Sequence, residues 1–277
     1  MKFLFAVVFW LILTIEFSNA QEKVDTIFTF TKPIVGNVKE VGQQEVLYTL
    51  PNEDVVYHIY KHSLFSITFS SGRKEVFNEK KDLVQIRTSK DWENVELTIL
   101  EEKIRGLMLV DMVSVKATGF LSVSSVTNTQ NRAFRKLKYA AAMLGGDRVL
   151  ISNQSVEGNI FIFRSTRTQL TGMVYRTMQL DTAGLFKNVI GGKYRLSDMS
   201  MLSIDNRKPK DSFILEFLDF DIKPTNFEFK DGLVYLKIDI GFGVQRFLVT
   251  FQSQSYIIAG NHSNSRFIGI VLKRIKS

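Results

Sequence analysis

Short apolar runs, several alternating with polar residues, recur along the chain as strand signals, and one stretch carries the period of a helix. From Gln130 to Leu144 the residues Phe134, Leu137, Ala141 and Leu144 recur at helical spacing, with Arg132, Arg135, Lys136 and Tyr139 opposite them. The spacing predicts a helix with one core face and one wet face. Thr127, Asn128 and Thr129 can each cap its first amides, and Gly145 can take the left-handed conformation that closes its last turn. Beyond Asp147, the runs Val149 to Ile151, Ile160 to Phe163 and Leu170 to Tyr175 read as three strands. Laying the helix on one face of that sheet buries both.

Before the helix, Phe65, Ile67 and Phe69 alternate with Ser66, Thr68 and Ser70, as in a half-buried strand. Glu45 to Thr49 and Val55 to Tyr60 flank the turn cluster Pro51-Asn52-Glu53-Asp54, and Ser71-Gly72-Arg73 marks a further turn before Lys74 to Phe77. Five or six short strands without a helix predict a small barrel or roll. Asp82 to Lys103 is a charge-rich connection containing a strand, followed by strands near Gly106 to Ala117 and Gly119 to Val126. After Gly191-Gly192 the chain is β again, over Phe213 to Phe220, Phe227 to Phe229, Leu233 to Ile240, Arg246 to Phe251, Tyr256 to Ala259 and Phe267 to Ile275. Asp231-Gly232 is a two-residue hairpin signal.

The fold class is therefore α+β and mostly β. The expected segments are a signal peptide at 1–20, an N-terminal β barrel or roll at 21–81, a middle domain with one long helix on a sheet at 82–182, and an antiparallel β domain at 183–277.

Two resemblances carry this further. The Ala-rich helix, glycine pair and apolar strand of Ala140, Ala141, Ala142, Gly145, Gly146, Asp147 and Val149 resemble small bacterial envelope domains, among them the heavy-metal-binding family and the Rcs-type outer-membrane stress sensors. Gly146 and Arg148 stand where those domains usually carry alanine. The segment bearing Val38, Val41, Glu45, Val46, Tyr48, Tyr57, Ile59, Lys61, Leu64, Ile67, Phe69, Gly72, Glu75, Val76 and Phe77 is similar to the N-terminal part of uncharacterised exported proteins of Gram-negative bacteria. These resemblances imply an envelope protein and bring no assigned chemistry.

The N-terminus agrees with export. Lys2, the apolar run Phe3 to Ile15 and the small residues of Ser18-Asn19-Ala20 have the three zones of a secretory signal, with Gln21 starting the mature chain. An apolar run this short spans a bilayer poorly. The absence of cysteine excludes disulfides, thiolate nucleophiles, thiolate zinc sites and a lipidated cysteine. A formal charge of +8 survives signal removal, because Lys2 and Glu16 cancel, and it favours acidic partners. Nucleic acid is not among them, since the basic residues are dispersed and no binding motif is present.

Candidate chemistry is sparse. His58 and His62 would stand about 13 Å apart on a strand and cannot share a metal. His262 then reads as a partly exposed β-edge residue. Asp219 with Asp221, and Glu101 with Glu102, read as solvated acidic faces, for no cleft or multi-ligand loop accompanies them. No G-x-S-x-G is present, and Gly241-Phe242-Gly243 is a hairpin turn with no helix behind it. The sequons at Asn153 and Asn261 matter only in a host that glycosylates exported proteins.

The residues thus predict no catalytic, cofactor or metal site. The candidate interaction surface is Arg132, Arg135, Lys136 and Tyr139 on the helix, with Arg207, Lys208 and Lys210 on a basic loop. Its partner would be another envelope protein or an anionic membrane surface. The expected function is a non-enzymatic binding protein of the periplasm, secreted or peripherally attached in the alternative. Two other classes stay open. One is a carrier holding an apolar ligand between the stripes Val234, Leu236, Ile238 and Phe247, Val249, Phe251; the other is an enzyme whose site leaves no sequence signature.

Overall fold

The computed structural model describes residues 24–29, 32–78, 86–119, 126–157, 166–177, 180, 192–204, 212–222, 224, 226–241, 243–263 and 266–275. The expected signal peptide, the strand at Ile160 to Phe163, most of that at Gly119 to Val126 and the basic loop with Arg207, Lys208 and Lys210 lie outside them. The described residues are mostly β, with 59% in strands and 15% helical. It divides into two compact units, Met1–Phe77 and Asn78–Ser277.

In the first unit, β1 (Asp25–Thr29), β2 (Pro33–Val41), β3 (Glu45–Thr49), β4 (Val56–Tyr60), β5 (Leu64–Thr68) and β6 (Lys74–Val76) form one antiparallel sheet in the order β4-β3-β2-β1-β5-β6. Ile27, Val46, Leu64 and Ile67 are fully buried at its core. The buried Asp25 carboxylate accepts from the Val38 amide at 2.8 Å and the Ser70 amide at 2.7 Å, tying β1 to β2 and to the turn after β5.

The second unit holds two sheets with a helix between them. Strands β7 (Glu96–Thr98), β8 (Met108–Thr118), β9 (Arg148–Glu157) and β10 (Arg167–Arg176) are ordered β7-β9-β10-β8, with β7 parallel to β9 and the other pairs antiparallel. Helix α1 (Val126–Met143) crosses one face of this sheet. Ala133, Leu137, Ala140 and Ala141 are fully buried on Val113, Val115, Val149 and Leu170. The helix starts earlier than the spacing predicts, so Thr127, Asn128 and Thr129 sit inside its first turns and not before them. Gly145 closes it at φ 69°.

The second sheet contains β11 (Tyr194–Ser203), β12 (Ser212–Ile222), β13 (Asn226–Lys230), β14 (Leu233–Asp239), β15 (Val244–Gln252), β16 (Tyr256–His262) and β17 (Arg266–Arg274), in the order β12-β11-β17-β16-β15-β14-β13. Its edge strands β12 and β13 are joined through residues 223–225 alone. So short a link reaches at most about 14 Å, which brings the two edges together at that corner. The sheet accordingly curls into a half barrel. The Asp231-Gly232 hairpin forms as its residues require, both with positive φ, 53° and 75°. Gly241 and Gly243, at φ 93° and 83°, likewise turn the chain from β14 into β15.

One face of the curled sheet carries a packed cluster that includes Val234, Leu236, Ile238, Phe247 and Val249. Phe251, expected in that stripe, is not in it. A bulge between Val249 and Phe251 reverses the alternation, and Phe251 stacks on Tyr256 and under the Arg87 guanidinium instead. The other face sends Leu202, Leu233, Leu248 and Phe267 into the core around α1. That core crosses the boundary that the sequence predicts at 182/183. The contacts are close enough to need glycine: a Cβ on Gly260 would strike the Met143 carbonyl, and one on Gly269 would lie 3.3 Å from the Met143 side chain.

Candidate functional site

The helix face expected to be basic and wet is largely used up inside the fold. Lys136 is only 2% exposed, and its Nζ donates to the Lys116 carbonyl at 2.8 Å. Arg132 Nη1 donates to the Thr118 carbonyl at 3.1 Å, and Tyr139 stacks on Trp92 at 4.8 Å. Arg135 alone of the four is exposed. The cause is the covering of α1 by the four-stranded sheet, the curled sheet and the 3₁₀ turn Ser89–Asn94. Long aliphatic stems cross the apolar layer and place their charged ends on the carbonyls of β8.

The three histidines lie on separate elements. His58 Nδ1 stands 3.3 Å from Glu45 on the adjacent strand, and His62 stacks on Tyr60. His262 is no plain edge residue: it stacks on Phe267, and its Nδ1 lies 2.7 Å from the Asp111 carboxylate. Asp111 comes from the other sheet. Asp111 continues the alternation of Val113 and Val115 along β8 and so points to the α1 side of its sheet, on which β16 also lies; the bulge at Val110 shifts the register only beyond it. Beside this pair, Arg246 covers the Tyr235 ring at 4.0 Å and pairs with Glu228 at 3.1 Å. Asp221 pairs with Arg195 on the exposed surface, whereas the Asp219 side chain falls outside the described residues. Among the described residues no group of three or more His, Asp or Glu could hold a metal ion.

Asp147 and Arg176 meet in the same seam between the sheets. The Asp147 carboxylate accepts from the Thr177 amide at 2.9 Å and the Thr177 hydroxyl at 3.1 Å. Burial nevertheless pushes its pKa up, and burial pushes that of Arg176 down against the attraction of Asp147. Because the folded state raises the Asp147 pKa, it binds that proton more tightly than the unfolded chain. The resulting stability is complete on the acid side and is lost as pH rises through the folded value. Asp147→Asn removes this dependence. From about pH 4 to about pH 8, spanning the ordinary carboxylate range and above it, the urea midpoint of the parent should fall relative to the variant. A parent gaining on the variant with rising pH would mean that the Thr177 bonds and the neighbouring cations outweigh burial.

The surface that the sequence does not single out is the open face of the four-stranded sheet, opposite α1. Register sets Leu150, Met173 and Met112 side by side, with Arg148, Tyr175 and Leu109 in the next row and Asn153, Thr171 and Ser114 beyond. Leu109 and Met112 are 51% and 59% exposed, and Ile99, after β7, is 74% exposed. The polar row is tied together, with the Thr171 hydroxyl donating to Ser114 Oγ at 3.1 Å. The charges at the border are paired: Glu96 meets Lys103 at 2.7 Å and Arg148 at 3.5 Å. The Lys103 hydrogen bond, supported by the Arg148 charge, holds the Glu96 carboxyl below its usual range despite partial burial. Apolar residues at both parities of β8 are the sequence signal for this face.

Compared with protein-family models, curated proteins and solved structures, the chain matches none. Among the described residues no helix is long and apolar enough to cross a membrane.

Proposed function

We propose that this chain is an exported, periplasmic envelope protein that works by binding another envelope protein through the open face of its four-stranded sheet. The observation that carries the proposal is the band of Leu109, Met112, Met173 and Leu150 on a sheet whose opposite face is already filled by α1. Methionine and aromatic groups beside hydroxyls and amides have the composition of a protein interface. With Glu96 paired to Lys103 and Arg148, this border carries one net positive charge, short of the cluster of cations that attachment to an anionic bilayer needs, and a protein partner suits it better. Export rests on the N-terminal pattern and on the two envelope-family resemblances. A binding role rests also on the histidines, which stand on separate elements and, for His262, hold two sheets together.

The test is crosslinking and pull-down from fractionated native cells, with the parent and with Leu109→Lys/Met112→Lys. Both positions are exposed, so the variant should fold, and specific capture should drop by about tenfold or more. Cytoplasmic recovery with an intact N-terminus would refute export. An unchanged partner set in the variant would refute the sheet face, and salt-sensitive sedimentation with anionic vesicles would replace the protein partner with a membrane. Turnover in a hydrolase panel, abolished by one substitution, would replace binding with catalysis.

A further inference from the structure

We infer that two copies of this chain pair through β4, antiparallel about a two-fold axis at His58, so that their N-terminal sheets join edge to edge. Strand β4 ends the six-stranded sheet, and only its β3 side is paired. The Lys61 amide donates to the Gln44 carbonyl at 2.9 Å, which makes those two residues a hydrogen-bonded pair. Bonded pairs alternate along an antiparallel ladder, so Ile59 and Tyr57 bond to Val46 and Tyr48. The amides and carbonyls of Val56, His58 and Tyr60 therefore point away from β3, and among the described residues nothing bonds them.

Open sheet edges invite strand pairing and are usually blunted. The other edges among the described strands are. Strands β6 and β7 are three residues long, and β12 and β13 turn towards each other. Along the outer edge of β8 the Met112 amide donates to Asp111 Oδ1 at 2.8 Å and the Lys116 amide to the Ile204 carbonyl at 3.2 Å, while Lys136 and Arg132 take the Lys116 and Thr118 carbonyls. Nothing comparable caps β4. Val55 and Val56 are 58% and 47% exposed, and no proline or lysine interrupts the run from Val55 to Tyr60.

The strand itself says which occupant suits this edge. An antiparallel register that bonds Val56, His58 and Tyr60 to outward residues of a second β4 is centred on His58. Val56 then stands opposite the partner's Tyr60, and Tyr57 opposite the partner's Ile59. Each is an aromatic residue against a β-branched one, a favourable cross-strand pair, and the two-fold axis makes each pair twice. Tyr57 and Ile59 already pack on the core cluster of their own sheet, so their pairs extend that core across the junction. Only His58 meets its own kind. Its Nδ1 lies 3.3 Å from the Glu45 carboxylate, so an imidazolium at the axis is balanced within its own copy. The contact is the same patch on both copies and closes at two. One strand edge buries less than a standard interface, and the dissociation constant is on the order of 100 µM.

The test is sedimentation velocity of the mature chain from about 5 µM to about 1 mM, a range that brackets the expected constant, together with single-cysteine crosslinking. The parent should pass from monomer to dimer. Val56→Lys puts a charge on the paired edge, and His58→Pro removes an outward amide that the sheet does not use; each should weaken the dimer about tenfold or more. Leu109→Lys/Met112→Lys should leave it intact, so this pairing and the partner binding of the open sheet face stand or fall separately. The chain has no cysteine of its own, and hydrogen-bonded antiparallel partners lie about 5.5 Å apart at Cα, within disulfide reach. His58→Cys should therefore oxidise to a covalent dimer about tenfold faster than Val76→Cys, on the exposed part of β6. A parent still monomeric at about 1 mM overturns the inference. So do a dimer indifferent to both Val56→Lys and His58→Pro, a dimer dissolved by the open-face substitutions, and equal crosslinking of the two cysteine variants.

Discussion

Replacing Ala141 with aspartate should cost about 3–5 kcal/mol of stability at neutral pH, the range for an uncompensated charge forced into a core. Ala141 is fully buried at the centre of α1, among valines and leucines of the four-stranded sheet. Its carbonyl also accepts the Gly146 amide at 2.9 Å, so the backbone there is fixed by the bonds that end the helix. The introduced carboxyl could escape only by taking up a proton, and its folded pKa would therefore rise. The sign follows: part of the lost stability returns as pH falls below that raised value, since the unfolded chain gives up the proton more readily. Arg135→Glu, on the exposed side of the same helix, should stay within about 0.5 kcal/mol of the parent. Urea denaturation of the two variants decides it, and equally mild losses would mean that α1 does not bury this face.

The contrast between those two positions was legible in the sequence, because alanine and leucine at helical spacing leave one side of α1 little choice. The opposite side was not. Arg132 and Lys136 look solvated on a helical wheel, yet two sheets and a 3₁₀ turn pack on α1, and the charged ends of these two residues reach carbonyls of β8. A helical wheel records polarity, and polarity does not reveal how many layers pack on a helix. Strand positions were legible where alternation is regular, as at Val234, Leu236 and Ile238. Strand β11 was not, since Arg195, Ser197 and Asp198 surround a bulge that breaks the period. A bulge accounts for Phe251 leaving its stripe, whereas the missed contact of Asp111 with His262 comes from the meeting of two sheets. The latter joins residues separated by 151 positions, a distance over which no local pattern operates. The open sheet face could be seen only once β8, β9 and β10 were in register.

Gly260→Ala should be nearly as damaging, at about 3 kcal/mol, the upper part of the range for overpacking a well-filled interior. Gly260 lies in β16 without a positive φ, so alanine suits its backbone and the cost is steric alone. The added Cβ would strike the Met143 carbonyl oxygen, stand 2.9 Å from the Met143 carbonyl carbon and 3.5 Å from Leu144 Cα. These are backbone atoms of the helix end. They cannot swing aside, because the Leu144, Gly145 and Gly146 amides all bond back into α1 and Gly145 holds φ 69°. Gly260 pairs directly with Gly269 on β17, where alanine would meet the Ser200 hydroxyl and the Met143 side chain. Those groups can rotate, so Gly269→Ala should cost less, and truncating Met143 to alanine should relieve it in a double-mutant cycle while leaving Gly260→Ala unrelieved. Gly241→Ala supplies the opposite control: nothing lies near its Cβ, and its φ of 93° leaves only a conformational penalty of about 1 kcal/mol. Denaturation midpoints measured across these variants should rank Gly260→Ala as the most damaging glycine substitution. A mild Gly260→Ala, or one rescued by shortening Met143, would mean that side chains alone, and not the backbone of the helix end, rest on the curled sheet.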